Sequence, residues 1–175
     1  MDNTKTHTDL TTRKLARFAL LTALNIVAFF IHFRAPWGTV HLGNIMIFMI
    51  AIIFGKEEGM VAGGLSAAMF DFLGGYGDYV LWSLVIKGLT GWVVGYTAHA
   101  GNKKGQSLPV NILACILGGI VSLVGYEIAY IFMYGWAAAI TKIPSSLIST
   151  AVGMVGIPLA MLIGPRLKKA GLMRD

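Results

Sequence analysis

The sequence predicts an all-α integral membrane protein with six transmembrane helices and both termini in the cytoplasm. Three observations predict it. Apolar runs recur along the chain from about Thr12 onward, several of them long enough to cross a bilayer. Only 13% of the 175 residues are charged, about half the share in a soluble domain, and the mean hydropathy is +0.72. The basic residues sit at the ends of the apolar runs and favour alternate linkers, as they do around membrane helices.

The elements follow in order. A polar segment, residues 1–11, precedes a first span of about Thr12–Phe33. No small-residue cleavage site follows a short apolar core there, so the segment reads as a polar cytoplasmic N-terminus before a full-length span and not as a leader. The second span is about Val40–Phe54 and the third about Glu58–Leu73. Both fall short of the ~20 apolar residues a crossing needs, which predicts burial in protein or local thinning of the bilayer. The fourth is about Tyr79–Ala98, the fifth about Leu108–Tyr134 and the sixth about Pro144–Leu167. The linkers Arg34–Thr39, Gly55–Glu57, Gly74–Asp78, His99–Ser107 and Gly135–Ile143 are short, so consecutive spans are expected to be antiparallel neighbours within a single domain, residues 1–175.

With six spans both termini share a side. Lys5, Arg13, Lys14, Arg17, Lys56, Lys103, Lys104, Arg166, Lys168, Lys169 and Arg174 fall on it, against Arg34 and Lys142 on the other. That asymmetry places the termini in the cytoplasm. It also accounts for the net charge of +6 without a nucleic-acid partner. The single cysteine, Cys115, excludes an internal disulfide and reads as a small packing residue.

Small residues recur about one helical turn apart. Examples are Ala16, Ala19 and Ala23 in the first span, Gly59, Gly63 and Ala67 in the third, and Gly88, Gly91 and Gly95 in the fourth. Gly118 and Ser122 in the fifth span and Ser145, Ser149 and Gly153 in the sixth continue the pattern. Such spacing lets helix backbones approach closely in lipid. Internal packing accounts for most of these; for the first span a flat face for another membrane subunit is an equal alternative.

The polar residues are the informative ones. Glu127 lies inside an apolar run with no other charge between Lys104 and Lys142. A carboxylate at that depth is costly and marks a ligand or ion path, or else a structural partner. Glu127, Tyr130 and Tyr134 share one helical face. Lys87 lies about two turns into the fourth span and either pairs with Glu127, snorkels, or faces a ligand. Towards the outer side lie Trp37, His41 and Asn44, then Asp71, Tyr76, Asp78, Tyr79 and Trp82. Trp37, Tyr79, Trp82 and Trp136 also suit an interfacial aromatic belt. Asp71 suits a solvated helix end, and a lone His41 suits a structural hydrogen bond. No phosphate-binding G-x-x-x-x-G-K-[ST] loop, H-E-x-x-H pair or G-x-S-x-G elbow occurs. No nucleophile–base spacing supports an enzyme.

The chain resembles the substrate-binding S component of energy-coupling factor (ECF) vitamin transporters. The resemblance rests on R-K-L-A-R-F-A-L-L-T-A-L opening the first span, H-L-G-N after the first outer loop, F-D-F-L-G-G closing the third span and I-K-G-L-T-G in the fourth. It implies a vitamin or precursor bound at the outer side. It also implies docking on a transmembrane coupling protein and two cytoplasmic ATPase subunits, which would hold the ATP and Mg; this chain would carry no cofactor. The docking face would be Ala16, Ala19 and Ala23. The pocket would draw on Trp37, His41, Asn44, Tyr79, Trp82, Lys87, Glu127, Tyr130, Tyr134 and Ser145, in a multi-pass protein of the bacterial cytoplasmic membrane. Aromatic faces with one acid and one amine suit a small heterocycle, with pyridoxine or hydroxymethylpyrimidine first and pantothenate next. The competing expectations are a stand-alone proton-coupled carrier or channel, and a small intramembrane enzyme using Glu127 and Asp71.

Overall fold

The computed structural model describes residues 3–35 and 38–171, with side chains for 11–33 and 41–171. Trp37 therefore lies outside the described residues. Helix α1 spans Asn3–Phe30, α2 Gly43–Phe54, α3 Lys56–Leu73, α4 Val80–Ala98, α5 Leu108–Tyr134, α6 Trp136–Gly153 and α7 Gly156–Lys169. Among the described residues three stretches are each long and apolar enough to cross a membrane: Gly77–Ala98, Leu108–Tyr134, and Trp136–Lys169, which joins α6 to α7.

Two departures from the sequence expectation matter. The architecture is not purely helical. The expected linker Arg34–Thr39, with residues on either side of it, forms an antiparallel hairpin of β1, His32–Ala35, and β2, Gly38–His41. His32 pairs with His41 and Ala35 with Gly38, and the Leu42 amide donates to the Ile31 carbonyl at 3.1 Å. The second helix thus starts at Gly43 rather than Val40. The last span also starts eight residues early, at Trp136 rather than Pro144, with Pro144 inside α6. A proline suits the first turn of a helix, which is why the sequence suggests a start there. In a membrane bundle, neighbouring groups can satisfy the freed backbone and the helix continues.

Helix α2 is the hub. Ile47, Phe48, Ile50, Ala51, Ile52 and Ile53 are all buried, and α2 packs on α1, α3, α4, α6 and α7. Its 12 residues rise only about 18 Å, less than a bilayer core, so protein surrounds it as the short-span expectation allowed. The break between α6 and α7 lies against it: a Cβ on Gly156 would sit 2.5 Å from the Ile45 carbonyl oxygen. Helices α3 and α4 meet backbone to backbone. A Cβ on Gly59 would lie 2.7 Å from the Gly91 carbonyl oxygen, and one on Gly63 2.8 Å from that of Lys87. The glycine spacing read from the sequence is thus the spacing of an antiparallel seam.

The outward faces are apolar. On α5, Ile112, Ile116, Ile120, Val124 and Ile128 are all exposed, while Asn111, Cys115, Gly118, Gly119 and Ser122 face inward. Apolar stripes outside and small or polar residues inside suit a hydrocarbon solvent. At one end of the bundle Lys14 pairs with Glu57 and Arg17 with Glu58, joining α1 to α3. The hydrogen bond and charge of Lys14 hold the exposed Glu57 carboxyl below its usual range. Deeper in the same pair of helices, Asn25 donates to Ser66 Oγ at 2.6 Å. The hairpin lies at the opposite end.

Candidate functional site

At the hairpin end a cavity of about 460 Å³ opens between the helices. The hairpin contributes His32 and His41 to its wall, α1 Phe30, α2 Asn44, and α3 Phe70 and Asp71. Ser83 and Lys87 come from α4, with Tyr79 just before it; Ser122, Tyr126 and Tyr130 come from α5. Lys142, Ser145, Ser146 and Ser149 come from α6. The early start of α6 is what brings Lys142 to this wall.

Lys87 lies at the inner end and is 4% exposed. Its ammonium donates to Asn44 Oδ1 at 2.8 Å and to Ser122 Oγ at 2.9 Å, and it sits 5.0 Å from the centre of the Tyr126 ring. Asn44 in turn donates to the carbonyl oxygen of Ser149 at 3.1 Å and to its hydroxyl at 2.9 Å. Four helices are therefore tied at one point, α2, α4, α5 and α6. A buried charge is tolerable when polar groups and an aromatic face replace its water. Two of the three lysine N–H donors are used, and the side chain still reaches the cavity wall.

Further out, Tyr126 and Ser83 share a hydrogen bond of 2.8 Å. Asp71 interacts with the Ser83 hydroxyl and lies within electrostatic range of Lys87. The mouth is aromatic. Tyr79 and Tyr130 have ring centres 5.5 Å apart, Tyr130 and Tyr134 5.8 Å, and Lys142 lies 5.7 Å from the Tyr130 centre. On the hairpin side Phe70 stacks on Phe29 at 5.4 Å and meets His41 at 6.0 Å, and His41 meets Phe29 at 4.6 Å.

Of the sequence candidates, His41, Asn44, Tyr79, Lys87, Tyr130 and Ser145 are on the cavity wall. Trp82, Glu127 and Tyr134 are not. Trp82 stacks on Phe132 at 6.1 Å. Tyr134 is exposed beside Tyr79. Glu127 stands one layer behind the wall, where its Oε1 accepts from Ser146 Oγ at 3.4 Å and its Oε2 is buried without a partner. Lys87 takes neutral oxygens and not Glu127, so no Lys87–Glu127 pair forms. Ala16, Ala19 and Ala23 are all exposed. Sequence reasoning passed over Ser83, Ser122 and Ser149 as ligands of the polar network: serines at helical spacing signal packing equally well. It treated Asp71 as a solvated helix end, although the acid is on the wall.

Known proteins resemble this chain over most of its length. A protein from Pyrococcus woesei described as an uncharacterized protein in gap 3'region is 34% identical over 140 residues, 77% of this chain and 90% of its own. The thiamine precursor transporter HmpT of Lactococcus lactis subsp. cremoris is 30% identical over 168 residues, 92% of this chain and 91% of its own. A solved structure of the S component of a bacterial ECF transporter shares the fold. Its TM-score is 0.62 at 23% identity, covering 94% of this chain and 99% of that one. The family model for the ECF-type riboflavin transporter S component matches residues 9–165. The helical membrane architecture, the deep cavity at one end and this match agree, and the chain belongs to the S-component family of ECF transporters.

Proposed function

We propose that this chain captures a small vitamin precursor in the hairpin-end cavity and delivers it through an ATP-driven partner module. The observation that carries the reading is the cavity itself: about 460 Å³, tyrosine-rimmed, with the buried Lys87 amine at its inner end. That volume suits a small ligand, and tyrosine faces suit a planar ring. The substrate we favour is hydroxymethylpyrimidine, with pyridoxine and then pantothenate as alternatives. The likeness to a thiamine precursor transporter at 30% identity supports the first choice.

In this reading the chain crosses a bacterial cytoplasmic membrane six times with both termini inside, so the hairpin faces out. The polar network around Lys87, with His41, Tyr79, Tyr130 and Ser145, contacts the ligand; Trp82 and Tyr134 line the approach, and Glu127 supports Ser146 from behind. The exposed Ala16, Ala19 and Ala23 stripe, with Leu15 and Leu20 beside it, docks on the coupling protein, and two ATPase subunits supply the ATP and Mg chemistry.

Native mass spectrometry of the gently purified chain tests the core of this reading, followed by calorimetric titration with hydroxymethylpyrimidine, pyridoxine, pantothenate and riboflavin. The expected result is one retained small molecule per chain and tightest binding by hydroxymethylpyrimidine. Uptake into liposomes containing only this chain, driven by a proton gradient without ATP, would replace the reading with a stand-alone carrier.

A further inference from the structure

The cavity has two poles of opposite kind on one wall. At the inner pole, the donors and acceptors can be counted. Asn44 uses both amide N–H groups on Ser149 and its oxygen on Lys87. Ser122 accepts from Lys87. What remains for a ligand is the third lysine N–H, with the Ser122 and Ser149 hydroxyls, whose own O–H groups these bonds leave free to donate. One turn of α4 away is Ser83, whose hydroxyl faces the Asp71 carboxylate and bonds Tyr126. Ser83 and Lys87 are four residues apart on one face of α4, about 6 Å along its axis. Among the described residues Asp71 is the only carboxylate on the wall, which also carries Lys142, and an ionised carboxylate only accepts. Tyr126 fills the wall between them, with the lysine nitrogen 5.0 Å from its ring centre.

We infer that Asp71 and Lys87 together determine substrate specificity, the carboxylate reading a donor edge and the ammonium an acceptor edge of one substituted six-membered ring. The ligand class is a single-ring nitrogen heterocycle with an exocyclic amine facing Asp71 and a ring nitrogen or hydroxyl oxygen facing Lys87. This deepens the proposed function and rests on it. Asp71 gains a role that its position near a helix end does not suggest.

The test is calorimetric titration of the whole chain in detergent with hydroxymethylpyrimidine, whose ring carries an amine, and with its analogue bearing a ring carbonyl in place of that amine. Wild type should prefer the amine by at least about tenfold, the scale of one charged hydrogen bond. Asp71→Asn, which keeps the shape but offers a donor, should lose most of that preference or invert it. Lys87→Met should weaken both ligands by a similar factor, because both present an acceptor inward. Thermal melts identify any variant that has failed to fold, and Asp71→Ser then gives the same reading with a smaller side chain. An amine preference unchanged in folded Asp71→Asn overturns the pole assignment while leaving the transport reading standing. Wild type that binds neither ring overturns both.

Discussion

At the scale of single residues, Lys87 and Glu127 exchange importance. Both are intramembrane charges in the sequence, and only position separates them. Lys87 is on the cavity wall with its ammonium anchored by Asn44 and Ser122; Glu127 is behind the wall against Ser146. Glu127→Gln retains an oxygen for the Ser146 hydroxyl, so ligand affinity in calorimetric titration should change by less than about threefold, well within one neutral hydrogen bond. Glu127→Leu should cost more, because Ser146 loses its acceptor. Asn44→Ala removes two bonds to α6 and one acceptor from the lysine. It should destabilise the fold by about 1–3 kcal/mol, seen as a melting point lower by several degrees in detergent, and ligand affinity should fall with it. An unchanged melting point would show that α2 and α6 are not held together through this amide.

At the scale of elements, the α3–α4 seam and the course of α6 decide where the site lies. The seam needs glycine because the backbones touch: a Cβ on Gly91 would collide with the Gly59 carbonyl. Gly91→Ala should therefore force the helices apart, costing about 1–3 kcal/mol as overpacking does, with the loss visible in thermal unfolding. A melting point equal to wild type would mean that the seam yields without cost. The seam was legible in the sequence, because small residues one turn apart on two neighbouring spans have few other uses. The start of α6 was not legible. Trp136, three alanines and Ile140 read equally as a loop at the membrane surface, and Pro144 looked like a helix start. Only packing against α5 and α2 shows that the helix begins at Trp136 and carries Lys142 to the cavity. The hairpin was hidden for a similar reason: four residues per strand give too short a pattern for periodicity to identify.

At the scale of the whole molecule, the two ends differ in kind. One carries a polar cavity under a hairpin, and the other carries basic residues with the α1–α3 ion pairs. Between them the outer surface of the bundle is apolar. The exposed alanine stripe of α1 starts near the basic end and lies away from the cavity wall. In the proposed reading, binding and docking therefore use different surfaces. Ala19→Trp with Ala23→Trp should leave ligand affinity intact and abolish ATP-dependent uptake in vesicles holding the full transporter. Retained uptake would move the docking face elsewhere.

The sequence by itself determined the solvent, a mainly helical class of fold and the family. Hydrophobic runs, scarce charge and glycine spacing are properties of segments, and segments are local. The candidate site was legible as a region, because intramembrane charges and outer-side aromatics are costly enough to stand out one at a time. Which of them share a wall was decided by tertiary structure alone. Lys87, Asn44, Ser122 and Ser149 come from four helices, and no spacing along the chain records that they meet. A buried ammonium takes whichever oxygens the packed helices bring within about 3 Å. Here those oxygens are neutral, and the carboxylate on the same wall, Asp71, comes from a fifth element, α3.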